Sequence, residues 1–392
     1  MTAARLSRIM VCKGMVLKSV QVFIRILKLL YIALIVKKCV PGFENSKKDW
    51  TVLLAYAAGT AYNIGMISII KRFLPEPSVK HVKEGQAGCF NFSRNSTWSA
   101  WFQAARMPSQ VYIFLPLLMG QAMAFTQGAF SWSVFLFCHL YGLAMQLFIV
   151  FANDVADEDT DRLNSTYTIF SGGSRVLADD CLSSRSLFSA AGVSALLCLL
   201  AGVLLAWFSS GWGPLLLVLL GLVLLWAYSF KPFRLSYRGG GELLQMLGVG
   251  GVLPMLGYLA QHGSLSGIYW PYMGLMLLLA LSCAMSTSLP DEPSDRLSLK
   301  KSSSVLLGGR LNQRLILALN AGAFFLLALF MLHGLGYTGM YLIALLCLGL
   351  WFSGVLLLDQ KPGSLGLSVF VASSVSFSLL PMAGVSMALF IS

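Results

Sequence analysis

Acidic side chains are scarce in this chain: 16 Asp and Glu among 392 residues, against 28 Lys and Arg. Charge of either sign is thin, at 11% of residues, well under the roughly 25% of a soluble domain. That shortage excludes an ordinary solvated enzyme surface. Histidine is nearly missing, and His81, His139, His262 and His333 lie too far apart for a histidine metal site. The eight cysteines include no C-x-x-C pair, so neither a zinc site nor a disulfide frame is expected. Several of them fall inside apolar runs and read as small core residues.

What is abundant is apolar sequence: 57% of residues are hydrophobic and the mean hydropathy is +0.75. Stretches near the ~20 residues that cross a bilayer recur at 108–127, 132–152, 187–208, 213–230, 242–262, 270–290, 313–333, 338–357 and 365–388. The expected fold is therefore all-α: a polytopic membrane bundle of nine transmembrane helices, with an extra N-terminal hydrophobic, interfacial region. In a soluble protein the net charge of +12 would point to nucleic acid. Here the basic residues are better explained by loops facing anionic lipid, and no nucleic-acid partner is expected.

Residues 1–95 read as an extension of a domain covering 96–392. The run 16–36 carries Lys18, Arg25 and Lys28 on one helical face, the pattern of a helix lying in the membrane interface. Lys37, Lys38, Lys47 and Lys48 follow, then a single hydrophobic segment at 50–70. No small-residue cleavage site follows the first apolar run, so a signal peptide is not expected. The region is equally well read as an accessory extension without catalytic role.

Loop charge orients the bundle. Arg162, Arg175 and Arg185 lie in one loop, Lys231, Arg234 and Arg238 in another, Arg296, Lys300, Lys301 and Arg310 in a third, and Lys361 in a fourth. The alternate connections at 128–131, 209–212, 263–269 and 334–337 contain no Lys or Arg. The asymmetry puts the charged loops on the cytoplasmic side. Trp132, Trp212, Trp270 and Tyr337 stand at span ends, as an aromatic belt would. Gly248, Gly250 and Gly251 are expected to serve close helix packing.

Half of the scarce acid is concentrated in two places, each at the end of an apolar run. Asp154, Asp157, Glu158, Asp159 and Asp161 form the first cluster; Asp291, Glu292 and Asp295 form the second. A charge at the centre of a spanning helix costs roughly 2.5–3.5 kcal/mol, so carboxylates beside hydrocarbon call for a partner. On a helix, Asn153, Asp154, Asp157 and Asp161 fall within roughly a 100° arc while Asp159 points away. Asp291 and Asp295, four apart, repeat the device. Oxygen donors of this kind suit Mg²⁺, which takes hard ligands and shares its shell with phosphates. Asp179 and Asp180 read as solvated loop charge. Pro290 and Pro293 predict a break in the sixth span near Pro290, with the second pair of aspartates on a new turn.

The pairing of N-D-x-x-D-x-x-x-D (Asn153, Asp154, Asp157, Asp161) with D-x-x-x-D (Asp291, Asp295) resembles the UbiA-type intramembrane aromatic prenyltransferases. That family has nine transmembrane helices, with its acidic motifs after helices two and six. The resemblance runs from Arg106 to the C-terminus. Ala105-Arg106-Met107-Pro108 looks like the family's entry to helix one, and Tyr228-Ser229-Phe230-Lys231-Pro232-Phe233-Arg234-Leu235 like its Y-S-x-x-P-x-R-L segment. Ser236 to Glu242 are most similar to the branch that prenylates 1,4-dihydroxy-2-naphthoate in menaquinone synthesis, and Ser171-Gly172-Gly173-Ser174-Arg175-Val176-Leu177 looks like that branch or its near relatives. Leu299-Lys300-Lys301-Ser302 departs from the G-K-R-T that relatives often carry there.

The resemblance implies an Mg²⁺-dependent transfer of a polyprenyl group from a polyprenyl diphosphate to an aromatic acceptor, in a bacterial cytoplasmic membrane and among its lipids. Asn153, Asp154, Asp157, Asp161, Asp291 and Asp295 are the implied metal ligands, and Asp157, Asp161, Asp291 and Asp295 the implied catalytic set. Lys231, Arg234, Arg296, Lys300, Lys301, Tyr228, Arg175 and Arg106 are the implied diphosphate-binding residues, although Lys231, Arg234 and Arg238 could equally be membrane anchors. Acceptors of other family branches (4-hydroxybenzoate, a chlorin, a haem or a lipid precursor) remain open. So does a cation-coupled transporter, whose ionisable groups would lie nearer mid-membrane.

Overall fold

The hydrophobic runs become helices, and hydrogen bonds internal to each helix satisfy backbone groups that hydrocarbon cannot. A computed structural model describes residues 97–209, 211–335 and 338–391, so the expectations for residues 1–95 and for Tyr337 lie outside it. The described part is helical, with one isolated bridge, Thr168 to Ser171, and no strand. In order come α1 (Thr97–Ala105), α2 (Val111–Phe125), α3 (Trp132–Ala156), α4 (Glu158–Leu163), α5 (Ser184–Phe208), α6 (Gly213–Ser229) and α7 (Gly241–His262). They are followed by α8 (Trp270–Ser288), α9 (Glu292–Leu297), α10 (Ser303–Leu307), α11 (Gly309–Leu335), α12 (Thr338–Leu356) and α13 (Leu365–Ile391).

Seven of these, α3, α5, α7, α8, α11, α12 and α13, are long and apolar enough to cross a membrane. Helix α6 is apolar but has 17 residues, and α2 has only 15. The expected span 108–127 is shortened for a local reason. Arg106 takes a left-handed backbone (φ 43°), and Met107–Gln110 form a 3₁₀ turn behind Pro108 before α2 begins. Leu196, Leu200, Val203, Leu216, Val223, Leu345 and Phe352 are exposed on the outer helices. An apolar rim of this extent belongs in lipid, and the chain is an integral membrane protein.

Small residues let the central helices touch. A Cβ on Gly120 of α2 would lie 2.7 Å from the Tyr258 nitrogen on α7, and one on Gly257 would lie 3.2 Å from the Leu117 carbonyl carbon. Of the glycines expected to pack, Gly250 does so, against the Met276 oxygen at 2.7 Å; Gly248 faces open space. The stretch Met246–Val252 is a π-helical segment within α7, a widened turn that brings Gly250 against α8. Ser282 on α8 donates to Asn320 Oδ1 on α11 at 2.6 Å, a buried polar tie in an otherwise apolar interface. Trp132, Trp212 and Trp270 are largely exposed at the starts of α3, α6 and α8. Since α3 ends at the first acidic motif, this aromatic belt lies at the opposite end of the bundle from the acid.

Cys138, Cys198, Cys283 and Cys347 are buried and free, and Cys181 is exposed and free.

Candidate functional site

Both acidic motifs sit at the same end of the bundle, where helices stop and restart. Helix α3 closes at Ala156; Asp157 leaves the helical conformation (φ −105°, ψ 8°) and α4 begins at Glu158. The expected continuous stripe is therefore broken at its middle residue. Its spacing survives, because the Asp157 N–H donates to the Asn153 carbonyl at 2.9 Å and the Asp161 N–H to the Asp157 carbonyl at 2.8 Å. Asp159 is exposed, as the arc predicted. Helix α8 stops at Ser288, Asp291 caps α9, and Pro293 takes the second helical position, where its missing N–H leaves no bond unmade. The break expected near Pro290 is there.

Lys300 joins the two rows. Its Nζ donates to Asp157 Oδ2 at 2.8 Å, while its backbone N–H donates to the Asp295 carbonyl at 2.8 Å. Ser302 Oγ donates to Asp295 Oδ2 at 2.6 Å. Asp157 and Asp295 are only 5% and 2% exposed, so these contacts lie in a low-dielectric setting. Asp154, buried, is ion-paired with Arg106 and bonded by the Ser174 hydroxyl and N–H. Asp291 accepts from Asn164 Nδ2 at 2.7 Å and from the Gly172 N–H at 3.2 Å. A methyl on Gly173 would collide with Asp161 Oδ2 and come within 3.3 Å of Asp154 Oδ1. Tyr228 lies in the electrostatic neighbourhood of Lys300.

The other cations are placed differently. Arg234 donates to the Ala156 carbonyl at 3.0 Å and stacks 3.6 Å over the Tyr237 ring, closing the end of α3. Arg175 bonds the Asp161 carbonyl and Asp179, and covers the Tyr167 ring at 4.5 Å. Arg296 turns to Glu292 at 2.8 Å and is half exposed. Lys231 and Lys301 are exposed. Asp180 is exposed and pairs with Arg162. The structure thus gathers Asn153, Asp154, Asp157, Asp161, Asp291, Asp295, Arg106, Lys300 and Tyr228 at one end, and puts Arg175 and Arg234 on the backbone around them.

Sequence reasoning missed Asn164, Ser174, Tyr237, Glu242 and Ser302. Tyr237 bonds Thr160 at 2.7 Å, and Glu242 accepts the Ser303 N–H at 2.6 Å, holding the loop that carries Lys300. Apart from Asn164, these residues lie inside the segments 171–177, 236–242 and 299–302 that the resemblance picked out, without roles of their own; Gly172 and Gly173 beside Ser174 are both left-handed (φ 78° and 68°).

Leu299 shows what the departure from G-K-R-T means. It adopts φ 58°, the region that favours glycine, with its side chain 81% exposed and little packing to lose. Leu299→Gly is expected to raise stability by up to about 1 kcal/mol, read as an increased Tm in detergent. A lower Tm would show that the leucine side chain contributes more than its backbone costs.

Burial pushes the Asp161 carboxyl up to about 8, helped by Asp157 and Asp154 nearby. Burial also raises Asp295, to about 7, against the pull of Lys300 and Ser302. Asp291 is raised by burial too, opposed by Lys300 and Asn164. For Lys300, burial works against the charge, but Asp157, Tyr228 and Asp295 hold its ammonium well above the usual lysine range.

Among the described residues no three Asp, Glu, His or Cys side chains are gathered tightly enough to enclose a metal ion. The donors nevertheless fit a hard divalent cation: carboxylates from both rows, and beside them Asn153 Oδ1, buried with no hydrogen-bond partner. Raised carboxyls imply that protons and a cation compete. With folded-state values above the unfolded 3.8, Asp161 and Asp295 contribute stability below about pH 4 that is lost as pH rises through about 7 to 8. The metal-free protein is therefore expected to lose Tm between pH 6 and 8.5, and added Mg²⁺ to restore it. A Tm that rises over that range, or ignores Mg²⁺ at pH 8.5, would contradict this.

The profile of the UbiA prenyltransferase family matches residues 113–377. Over 227 residues the chain is 27% identical to the 2-carboxy-1,4-naphthoquinone phytyltransferase of Synechocystis sp., covering 56% of this chain and 70% of that protein. A UbiA homolog from Archaeoglobus fulgidus, solved with DMAPP and Mg²⁺, shares the fold at a TM-score of 0.56 and 16% identity, covering 74% of this chain and 99% of that one. The apo UbiA homolog from Aeropyrum pernix K1 does so at 0.54 and 20% identity, covering 70% and 96%.

Proposed function

Since this chain belongs to the UbiA prenyltransferase family, we propose that it transfers a polyprenyl group from a polyprenyl diphosphate to 1,4-dihydroxy-2-naphthoate, with Mg²⁺. The acceptor rests on the resemblance of the Ser236–Glu242 segment and on the naphthoquinone named in the Synechocystis relative. The donor and the metal rest on the carboxylate rows and on the DMAPP and Mg²⁺ bound by the Archaeoglobus homolog. The observation that carries the reading is Lys300, which ties Asp157 of the first row to the loop folded back on Asp295 of the second. A ligand gripped by both rows meets that ammonium at once.

Asn153, Asp154, Asp157 and Asp161 would hold the cation on one side, Asp291 and Asp295 on the other. A cation held there would supply charge neutralisation for a departing diphosphate. Arg106 and Lys300 add fixed positive charge at the same end. Lys231 and Lys301, exposed on the rim, steer the anionic head inward before it reaches the buried pair, whereas Arg296 is paired with Glu292. As the allylic C–O bond breaks, the diphosphate departs with the electron pair, the acceptor ring attacks the cation left on the prenyl chain, and the ring carbon that takes the chain regains aromaticity by releasing a proton, or its carboxylate as CO₂. The packed helices below the rows keep water from that cation, and the chain's methylenes lie along apolar helix faces at about 0.8 kcal/mol each.

In this reading α2, extended by the 3₁₀ turn Met107–Gln110, and α6 also cross the bilayer, giving nine spans, with local thinning of the membrane matching their short length. The basic loops support a site at the cytoplasmic face, which this reading takes to be that of a bacterial membrane, with residues 96–392 as the catalytic domain. Purified protein in liposomes, given labelled polyprenyl diphosphate and each acceptor in turn, tests the proposal by product mass. Prenylated naphthoate is expected. Product only with 4-hydroxybenzoate or a lipid acceptor would move the chain to another branch, and no product with any acceptor would overturn the reading.

A further inference from the structure

The loop between α4 and α5 touches both acidic rows. Asn164 leads it, held by its N–H to the Asp161 carbonyl at 3.2 Å, and its Oδ1 caps the Thr166 N–H at 2.9 Å. The other half of that amide, Nδ2, reaches Asp291 Oδ1 at 2.7 Å, a contact between residues 127 apart in sequence. Thr166 Oγ1 then donates to the Pro290 carbonyl at 2.6 Å, pinning the loop next to Asp291. Eight residues after Asn164, the Gly172 N–H takes the second oxygen of the same carboxylate at 3.2 Å. Gly173 follows, with no room for a side chain beside Asp161, and Ser174 bonds Asp154 through hydroxyl and N–H. Gln103 of α1 holds the Ser174 carbonyl at 2.7 Å from behind.

We propose that the strap 164–174, through Asn164 and Gly172 on Asp291 and through Ser174 on Asp154, is a positioning element that sets the separation of the two carboxylate rows and with it the affinity for a divalent cation. The inference rests on the metal-binding role proposed above for those rows. Its physical basis is orientation. A carboxylate free to rotate presents its oxygens to an ion only part of the time, whereas one held by two donors is aimed before the ion arrives. Asn164 suits the task because an amide can accept from its own turn and donate to a distant carboxylate with one side chain. Paired glycines suit it because two consecutive left-handed residues turn the Gly172 N–H toward Asp291 and the Ser174 N–H toward Asp154, one in each row. None of these residues need touch the substrate, so their effect belongs to the cation requirement and not to the acceptor.

The test is the midpoint of the Mg²⁺-induced rise in Tm of the full chain in detergent, a binding readout independent of turnover. Asn164→Ala and Ser174→Ala, the second trimming a single hydroxyl, are each expected to move that midpoint tenfold or more to higher Mg²⁺. In liposomes the KM for the acceptor is expected to stay within twofold. If the wild-type protein responds to Mg²⁺ and both variants keep its midpoint while their metal-free Tm falls, the strap is loop support alone and the inference is wrong. If the wild-type protein itself shows no response to Mg²⁺, the metal-binding reading fails first.

Discussion

Asp157→Asn and Asp295→Asn are each expected to lower prenyl transfer at least about a thousandfold while the protein still inserts and remains monodisperse in detergent. The two residues belong to different rows, yet both lie against Lys300 and both are nearly sealed from solvent. Asparagine keeps the volume and an acceptor oxygen, so the change removes charge and little else. Alanine would also empty buried space and remove the acceptor oxygens that Lys300 Nζ and Ser302 Oγ bond, mixing a folding defect into the rate. If the rows act as one device, losing charge from either row costs as much as losing it from both, and the double variant adds little. Retained transfer of a labelled prenyl chain by either single variant would remove that row from the chemistry. Independent, multiplicative losses would mean two separate sites.

Lys300→Met is the second large effect, a fall of about a hundredfold or more in kcat/KM for the prenyl diphosphate, with the KM for the acceptor little changed. Methionine preserves the length and apolar stem and deletes the ammonium that Asp157 holds at 2.8 Å. Lys300→Arg is expected to recover part of the loss, since charge returns in a different geometry. By contrast, Arg296 spends itself on Glu292 at the surface, where an i,i+4 pair contributes little. A Lys300→Met enzyme of normal activity would show that the ammonium only buttresses the resting protein.

Most of the candidate site was legible in the sequence because its signals are local. Carboxylates are costly beside hydrocarbon, so two clusters in a chain this poor in acid announce themselves. The prolines at 290 and 293 place the helix break, and the spans follow from length and hydropathy. What the sequence withheld depends on contacts between distant segments. Nothing near Asn164 says that its amide will meet Asp291, and nothing near Lys300 says that it, and not Arg296 four residues earlier, will face the first row. The break at Asp157 was hidden because the i,i+4 pattern persists through it, carried by backbone bonds that outlast the helical dihedrals. The short α2 came from the left-handed Arg106, a conformation that its residue type gave no reason to expect. Leu299 stood out only through its departure from the G-K-R-T of the resemblance, and its φ of 58° lies in the region that favours glycine.

The most direct measurement is the structure of the protein with Mn²⁺ and a non-hydrolysable prenyl thiodiphosphate, with the metal located by anomalous scattering. Peaks beside both Asp157 and Asp295, flanking a single diphosphate within reach of the Lys300 ammonium, are the predicted result. Metal confined to one row, or a diphosphate bound apart from both, would contradict the claim that the two rows work on one ligand.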